Sequence, residues 1–201
     1  MKIIFATGNK DKMAEIREIM SDLNIEVASM KEEGIESDPE ENGISFEENA
    51  LIKARAVAKI TKEKGIEAIV LSDDSGLEVD CLGGEPGIYS ARYLGRETPY
   101  SEKNRYIIDK VNATGDKERT ARFVCAVAAV FPDMTEEVVR GTIEGTVAFT
   151  PSGNQGFGYD PIFWVPELSC TTADLSNEEK NKISHRGRAL RMMKEVLENR
   201  K

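Results

Sequence analysis

Ala68-Ile69-Val70-Leu71-Ser72-Asp73-Asp74-Ser75-Gly76 joins a continuous apolar run to a polar, acidic stretch. A short apolar run without polar alternation is typical of a strand that is buried on both faces of an α/β sheet. The acidic residues follow its carboxyl end, where open α/β sheets bind their ligands. Because neighbouring strand residues point to opposite faces, we expect Asp73 and Asp74 to have different roles. A polar β-turn is the alternative, since Asp and Ser are common in turns.

Strand and helix patterns alternate on the N-terminal side of this segment. Ile3 to Ala6 predicts a short buried strand, and Asn9 is a suitable N-cap for the amphipathic helix that follows. Ser45 begins a second helix with a capping box, because Glu48 lies three positions later, and Gly65 ends that helix. This alternation is the pattern of an α/β protein.

The rest of the chain adds a long hairpin and further helices. Leu77 to Leu82 is a candidate strand, and Tyr100 to Val111 is a candidate helix. The predicted hairpin pairs Ala121 to Phe131 with Glu137 to Phe149, and Ser184 to Asn199 predicts a closing amphipathic helix. We therefore expect an α/β fold with a mixed central sheet, a long antiparallel hairpin and flanking helices. Residues 1–201 should form a single two-lobed domain.

Composition excludes several kinds of partner. The 201 residues include 27 Lys and Arg against 36 Asp and Glu, a formal net charge of −9. Binding to nucleic acid or to anionic lipid needs a basic surface, so neither partner is expected. No apolar run approaches the roughly 20 residues of a membrane span, and we expect no signal peptide. The three cysteines lie far apart and predict free thiols, as in a cytoplasmic protein.

Thr7-Gly8-Asn9-Lys10-Asp11-Lys12 lies where the first strand gives way to a helix. Helix N-termini expose N–H groups and the positive end of the helix dipole, and therefore attract phosphate. Lys12 falls in the first turn, where a cation is unfavourable unless an anion lies close to it. A phosphate site and an ordinary capped turn with solvated lysines are equally consistent with this segment.

Carboxylates on either side of the second helix predict a metal site. Asp73 and Asp74 suit Mg²⁺, which prefers oxygen ligands and shares them with substrate phosphates. Glu41 is a candidate further ligand, although most carboxylates in an acidic run are only solvated. Lys53 lies beside the apolar stripe of its helix, where it would neutralise a phosphate or simply extend its ammonium group into solvent.

Two C-terminal segments are candidates for nucleoside recognition. Gly153-Asn154-Gln155-Gly156-Phe157-Gly158-Tyr159-Asp160-Pro161 surrounds aromatic rings with glycine, as stacking on a base requires. An aromatic that anchors a hairpin is an equally common alternative. Lys180 and Ser184-His185-Arg186 bring donors that suit a purine carbonyl or a phosphate oxygen. A lone histidine is nonetheless more often structural than catalytic.

In this order the segments resemble the inosine triphosphate pyrophosphatase family, whose members hydrolyse non-standard purine nucleoside triphosphates. The resemblance covers nearly the whole chain. Its most specific strings are Asp73-Asp74-Ser75-Gly76-Leu77, Pro86-Gly87-Ile88-Tyr89-Ser90-Ala91-Arg92, Phe157-Gly158-Tyr159-Asp160-Pro161 and Ser184-His185-Arg186-Gly187. The resemblance implies two lobes with the active cleft between them, a homodimer, and dependence on Mg²⁺.

The resemblance also implies a role for individual residues. Asp74 is the expected proton acceptor and a metal ligand, and Glu41 is the second metal ligand. Thr7 to Lys12 and Lys53 are expected to bind the triphosphate, and Ser75 to contact the substrate. The expected nucleoside-binding residues are Phe157, Gly158, Tyr159, Asp160, Lys180, His185 and Arg186. The implied reaction converts ITP, dITP and XTP to the nucleoside monophosphate and pyrophosphate.

Substrate selection should depend on the purine six-position, a carbonyl in hypoxanthine and xanthine but an amino group in adenine. Donors aimed at this position would leave the amino group of adenine facing another donor, which is costly in a buried site. We expect His185, Arg186 and backbone N–H groups near Phe157 to be these donors.

Three other functions remain to be distinguished. The first is an inactive nucleotide-binding or regulatory protein on the same scaffold, against which Asp73-Asp74, Lys12 and Lys53 argue. The second is a related pyrophosphatase for pyrimidine or modified nucleotides, which the Phe157 and Ser184 strings disfavour. The third is a phosphatase that removes only the γ-phosphate.

Overall fold

The computed structural model describes residues 2–23 and 25–200, which contain seven strands and five α-helices. The strands are β1 (Lys2–Phe5), β2 (Val27–Ser29), β3 (Ala68–Val79), β4 (Thr120–Val130), β5 (Glu136–Val147), β6 (Phe163–Val165) and β7 (Cys170–Thr171). The helices are α1 (Lys10–Ile19), α2 (Phe46–Glu63), α3 (Tyr100–Thr114), α4 (Asn177–Ile183) and α5 (His185–Asn199).

The strands form one seven-stranded sheet in the order β2-β1-β3-β4-β5-β6-β7. β1 pairs in parallel with both β2 and β3, with Ile4 opposite Val70 and Phe5 opposite Leu71. β6 pairs antiparallel with β5 and β7. The predicted α/β fold with a mixed sheet is therefore confirmed. The predicted hairpin is also present, since β4 and β5 are neighbours joined by a short turn.

β3 is longer than the sequence predicts. We expected the strand to end before Ser72 and a separate strand to begin at Leu77, but β3 runs unbroken from Ala68 to Val79. A polar β-turn at Asp73-Asp74-Ser75-Gly76, the alternative that the sequence left open, is therefore excluded. Polar residues can stay in a buried strand when their groups find partners: the Ser72 hydroxyl donates to the Ala50 carbonyl, and both aspartates are paired as described below.

The chain divides into two compact units, each built from separate segments. Unit 1 comprises Met1–Asp74, Cys125–Gly141 and Arg186–Lys201, and unit 2 comprises Ser75–Val124 and Thr142–His185. β3, β4 and β5 each contribute residues to both units.

The core of unit 1 joins β1 and the first part of β3 to α1 and α5. Its buried members are Ile3, Phe5, Met13, Ile16, Met20, Ile69, Leu71, Cys125, Val127, Ala129, Phe131, Ala189, Leu190, Met193 and Leu197. Each large aliphatic side chain removed from water contributes about 2 kcal/mol before entropic costs. This packing holds the end of β1, the start of α1 and the middle of β3 in place.

The core of unit 2 packs α3 against β4, β5 and β6. Ile107 and Val111 are fully buried on the inner face of α3, and the rings of Phe123 and Phe163 lie 4.3 Å apart between centroids. Tyr159 and Ile162 belong to the same cluster, so it anchors the glycine-rich loop of residues 153–161 at its C-terminal end.

Most predicted helices begin where their caps indicate. Asn9 caps α1, and the Ser45 hydroxyl accepts from the Glu48 N–H at the start of α2. The second arm of the predicted capping box differs, because the Glu48 carboxylate accepts from the Ile44 N–H. The predicted closing helix begins at His185, since Ser184 ends α4. α4, β2, β6 and β7 are short elements that the sequence analysis missed.

Two further predictions can be compared with the structure. The three cysteines are free, as expected. Within residues 2–23 and 25–200, no helix is both long enough and apolar enough to cross a membrane.

Candidate active site

The loop after β1 begins beside the middle of β3, where the parallel pairing of the two strands ends with Phe5 opposite Leu71. The Ala6 N–H donates to the Leu71 carbonyl at 2.7 Å, one residue before Thr7 and Ser72. Both segments belong to unit 1. The parallel pairing therefore brings the Thr7–Lys12 segment close to the two aspartates.

The start of α1 is a capped and exposed helix N-terminus. The Asn9 side chain accepts from the N–H groups of Asp11 and Lys12 at 2.9 and 3.1 Å, and the Thr7 hydroxyl accepts from the Asn9 N–H at 3.2 Å. Residues 8–11 are exposed. Such an N-terminus favours an anion through its N–H groups and its dipole.

Asp73 is the centre of a buried ion-pair network. Its carboxylate lies 3.0 Å from the Lys12 ammonium and 3.1 Å from the Arg186 guanidinium, which also pairs with Glu15. Burial alone would raise the pKa of Asp73, but the charges of Lys12 and Arg186 outweigh it and hold that pKa far below its usual range. Asp73 therefore stays ionised and is unsuited to accept a proton.

This network supplies the anion that the position of Lys12 requires. The sequence predicts that a cation in the first turn of α1 needs a nearby negative charge, and the Asp73 carboxylate provides one from within the protein. An ammonium group has three donors, so a lysine paired with one carboxylate can also bind a phosphate oxygen.

Asp74 points to a different set of partners. One of its oxygens lies 3.0 Å from the Lys53 ammonium, which also contacts the Glu41 carboxylate at 3.2 Å. Burial and the charge of Glu41 raise the pKa of Asp74 above its usual value, although Lys53 opposes this. Burial would lower the pKa of Lys53, but attraction to Asp74, Asp73 and Glu41 raises it instead. Lys53 therefore stays charged.

Glu41 and Asp74 together fit the way that proteins hold Mg²⁺. Both are oxygen donors placed around the same ammonium, and Mg²⁺ is commonly bound through one or two carboxylates with substrate phosphates and waters completing its shell. No group of three or more His, Cys, Asp or Glu residues that could hold a metal is present in the part of the chain that the structure describes.

The predicted nucleoside loop in unit 2 is organised around Asp160. This buried carboxylate accepts from the Phe157 N–H at 2.8 Å, the Lys180 ammonium at 2.6 Å and the Thr172 hydroxyl at 2.8 Å. The Lys180 ammonium lies 4.9 Å from the centre of the half-buried Phe157 ring. Gly156 completes the turn at a φ of +69°, where a Cβ would lie 2.2 Å from an Asp160 oxygen.

The rest of the loop is held by α3 and by its own aromatic residues. The Tyr159 hydroxyl donates to the Ser90 carbonyl at 2.8 Å, and its ring meets Tyr100 edge to face at 5.2 Å. The Asn104 amide donates to the Gly158 carbonyl at 3.1 Å. Tyr159 therefore acts as an anchor of this loop, whereas the ring of Phe157 is more accessible.

His185 and Arg186 are adjacent in the chain but have different surroundings. The His185 ring is buried in unit 2 and stacks on Phe123 at 4.8 Å. The Arg186 guanidinium is held by Asp73 and Glu15 in unit 1, and the Phe157 N–H donates to Asp160. The Phe157 N–H has a single hydrogen, so it must leave Asp160 to donate to a base, whereas the Arg186 guanidinium has five N–H donors.

The structure thus groups the predicted residues in two sets. In unit 1, Lys12 and Arg186 pair with Asp73, while Glu41 and Asp74 pair with Lys53; in unit 2, Phe157, Asp160 and Lys180 form one cluster. Ser75 continues β3 in unit 2 and is half-buried. The sequence analysis missed Glu15, Asn49 and Thr172. Asn49 lies four residues before Lys53, a helical spacing that could have revealed it.

The chain matches known proteins over nearly its whole length. The model of the Ham1 family matches residues 3–196. A protein from Clostridium perfringens named dITP/XTP pyrophosphatase is 46% identical to the chain, and the match covers 98% of this chain and 97% of that protein.

Two solved structures are also similar. A HAM1 protein from Coxiella burnetii has a TM-score of 0.88 at 39% identity and covers 99% of each chain. A nucleoside-triphosphatase, also titled dITP/XTP pyrophosphatase, from Mycobacterium abscessus has a TM-score of 0.74 at 40% identity, over 96% of this chain and 98% of that one. The resemblance found in the sequence is confirmed, and the chain belongs to the Ham1 family.

Proposed function

We propose that the protein hydrolyses non-standard purine nucleoside triphosphates, namely ITP, dITP and XTP, to the nucleoside monophosphate and pyrophosphate. The observation that carries the proposal is the Glu41–Lys53–Asp74 arrangement, in which Asp74 lies in the middle of β3. It combines a carboxylate that can accept a proton, a second carboxylate for a metal and a fixed cation for phosphate. Relatives named dITP/XTP pyrophosphatase support the choice of substrate.

In the proposed reaction, water attacks the α-phosphorus and Asp74 accepts the proton of that water. The bond from the α-phosphorus to the bridging oxygen breaks, and pyrophosphate leaves. A carboxylate with a raised pKa is a better base near neutral pH than an ordinary aspartate, which favours Asp74 over Asp73. Lys12 and Lys53 stabilise the negative charge that develops on the leaving group.

We propose Mg²⁺ as the cofactor, held by Glu41 and Asp74 with the triphosphate. When bound, the ion supplies positive charge that neutralises phosphate oxygens and favours deprotonation of water. The exposed N-terminus of α1, with residues 7–12, contributes N–H groups to the phosphates.

The base is proposed to be recognised by residues of unit 2. Phe157 offers a half-buried ring for stacking, with Lys180 beside it and Asp160 holding the turn. His185 is buried beside Phe123 in unit 2, and we assign it the six-carbonyl of the purine. Replacing His185 with Ala should reduce the preference for ITP over ATP, and an unchanged ratio of kcat/KM values would reject this assignment.

Assembly and location follow the resemblance. We propose a homodimer, which light scattering on the purified protein tests directly. The three free thiols support a reducing compartment such as the cytoplasm.

Product analysis tests the reaction and separates it from the alternatives. The protein is incubated with ITP, XTP, dITP, dUTP and ATP in the presence of Mg²⁺, and the products are identified. Monophosphate and pyrophosphate from the first three supports the proposal. Diphosphate and phosphate would indicate a γ-phosphatase. Preferential hydrolysis of dUTP would indicate a pyrimidine enzyme, and no turnover would indicate an inactive binding protein. Each of these outcomes overturns the proposal.

A second experiment tests the base. Replacing Asp74 with Asn keeps the size of the side chain but removes its ability to accept a proton. We expect kcat to fall by about a thousandfold, within the usual range for loss of a general base, while the circular dichroism spectrum is unchanged. Near-normal activity of this variant would show that Asp74 is not the base.

A further inference from the structure

Asn49 is a fully buried amide on α2 that contacts both carboxylate-bearing segments of the candidate site. Its exposed fraction is 0%. Its oxygen accepts from the Gly43 N–H at 2.9 Å, and its nitrogen lies 3.4 Å from Asp74 Oδ2. Gly43 follows Glu41 by two residues, so one side chain connects the loop of one carboxylate to the other carboxylate itself.

The orientation of this amide follows from its partners. A backbone N–H can only donate, so the atom that faces Gly43 must be the Asn49 oxygen, and the Asn49 nitrogen must then face Asp74. Asp74 accepts from Lys53 through its other oxygen at 3.0 Å. Both oxygens of Asp74 are therefore oriented by α2, through residues 49 and 53, which lie on the same face of the helix.

The surrounding structure holds this bridge in register. Beside it, the Ser72 hydroxyl donates to the Ala50 carbonyl and ties α2 to β3 two residues before Asp74. The loop approaches closely at Gly43, where a Cβ would lie 2.8 Å from the Asn49 oxygen and 2.7 Å from the Glu48 Cβ. Glycine at this position therefore permits the contact.

We propose that Asn49 is a positioning residue that sets the separation and orientation of Glu41 and Asp74. It thereby determines the affinity for the metal and the orientation in which Asp74 accepts a proton. This inference rests on the proposed function for its metal and its reaction. The amide makes two separate contacts: the oxygen holds the Glu41 loop, and the nitrogen orients Asp74.

Three variants distinguish the effects of these two contacts. Asn49→Ala removes both, Asn49→Asp keeps an oxygen for Gly43 but replaces the donor to Asp74, and Gly43→Ala displaces the loop while leaving Asn49 in place. Thr61→Ala is the matched control, because Thr61 is a buried polar residue of the same helix whose hydroxyl bonds only within α2, to the Ala58 carbonyl. Each protein is compared by exchange of the Gly43 amide, Mn²⁺ binding to nucleotide-free enzyme by electron paramagnetic resonance, and kcat for dITP.

Loss of a hydrogen bond in a charged site changes an equilibrium by about tenfold or more. We expect Asn49→Ala to speed exchange at Gly43 and weaken Mn²⁺ binding by about that factor, and to lower kcat. Asn49→Asp should retain the slow Gly43 exchange yet lose kcat. Gly43→Ala should weaken Mn²⁺ binding, and Thr61→Ala should match the wild type in all three measurements.

Several results would overturn the inference. Wild-type Mn²⁺ affinity and Gly43 exchange in Asn49→Ala would show that Asn49 is only a packing residue, even if its melting temperature falls. A wild-type kcat in Asn49→Asp would show that the contact with Asp74 does not matter for the reaction. Absence of Mn²⁺ binding by the wild type would show that Glu41 and Asp74 do not hold a metal. Failure of the proposed function is a separate result: the wild type would release no pyrophosphate from dITP. Exchange of the Gly43 amide, which is measured without nucleotide, would still change when Asn49 is replaced.

Discussion

Asp73 and Asp74 are neighbours in the chain, but their carboxyl groups lie in opposite electrostatic environments. Burial opposes ionisation of both, yet Lys12 and Arg186 overcome it at Asp73 and lower that pKa, whereas the pKa of Asp74 is raised. Two acids with pKa values driven apart commonly divide the work of a site. We therefore propose that Asp73 organises cations and that Asp74 accepts the proton.

The Asp73 network should stabilise the fold in a pH-dependent way. Because its folded pKa is lowered, its stabilising effect is complete above the unfolded pKa of about 3.9 and is lost as the pH falls toward the folded value. Asp73→Asn should lower the free energy of unfolding by about 3 kcal/mol near neutral pH, since Arg186 and Lys12 lose their shared anion. Urea unfolding should show the difference from wild type shrinking at about pH 3. A pH-independent difference would contradict the ionic explanation.

Gly156 offers a second test at the scale of a residue. Gly156 and Gly83 have nearly the same φ, +69° and +67°, but a Cβ at Gly83 meets nothing within 4 Å, whereas at Gly156 it would strike Asp160 and approach Lys180 to 3.1 Å. Gly83→Ala should cost only the backbone strain of about 1 kcal/mol. Gly156→Ala should destabilise the protein further in urea unfolding and raise the KM for dITP. Equal effects of the two variants would show that the Asp160 contact is unimportant.

Individual site residues were predictable to different degrees. Lys12 and Lys53 stood out because a cation near a helix start or an apolar stripe needs an explanation. The partners of Arg186 were not predictable, since Asp73 lies 113 positions away and Glu15 lies 171 positions away. Pairing over such separations depends on the packing of α1 and α5 around β3, which local patterns do not report.

At the scale of elements, α4 is a short helix that depends on its cap. Ser176 and Glu179 form a capping box, in which the Ser176 hydroxyl accepts from the Glu179 N–H and the Glu179 carboxylate accepts from the Ser176 N–H. A helix of 7 residues has little stability of its own. This helix carries Lys180, so its cap indirectly supports the Asp160 cluster.

Ser176→Ala should therefore destabilise the protein by about 1 kcal/mol in urea unfolding and raise the KM for dITP through Lys180. Glu178→Ala is the control on the same helix, because it removes only an exposed pair with Lys182 that contributes little. If the two variants have the same KM, the cap does not support Lys180.

Element prediction succeeded where hydrophobic periodicity was long. α2 and α3 span more than two turns, and the two strands of the β4–β5 hairpin have 11 and 12 residues, so their patterns were clear. β2, β6 and β7 have three residues or fewer, too short for any pattern. β3 was underestimated because its buried polar residues look like a turn until their partners are known. The capping box of α4, Ser176 with Glu179 three positions later, is visible in the sequence and could have predicted this helix.

At the scale of the whole molecule, unit 1 is assembled from three separated segments. Its core needs Val127 and Ala129 from β4 and Leu190 and Met193 from α5. A fragment of residues 1–74 should therefore remain unfolded, although it contains β1, α1, α2 and both carboxylates that we propose as metal ligands. Circular dichroism with thermal melting checks this, and a cooperative transition in the fragment would contradict it.

The fold class followed from the order of elements, and the family from strings of residues that recur in order. The division into units did not follow, because β3, β4 and β5 each pass from one unit to the other. No boundary of composition or linker marks such a division in the sequence. Net charge likewise describes the molecule but not its site, where Lys12, Lys53 and Arg186 stand among the acids.

The pairing of Asp73 with Arg186 also has a consequence for synthesis on the ribosome. Translation delivers Asp73 long before Arg186, so the nascent chain holds β3 without the guanidinium that neutralises its acid. Asp73 then has Lys12 but lacks Arg186, and an incompletely paired buried carboxylate opposes burial of that strand. Unit 1 is therefore completed only after α5 has been synthesised. A chain that is truncated before residue 186 stays unfolded and is bound by chaperones or degraded by proteases.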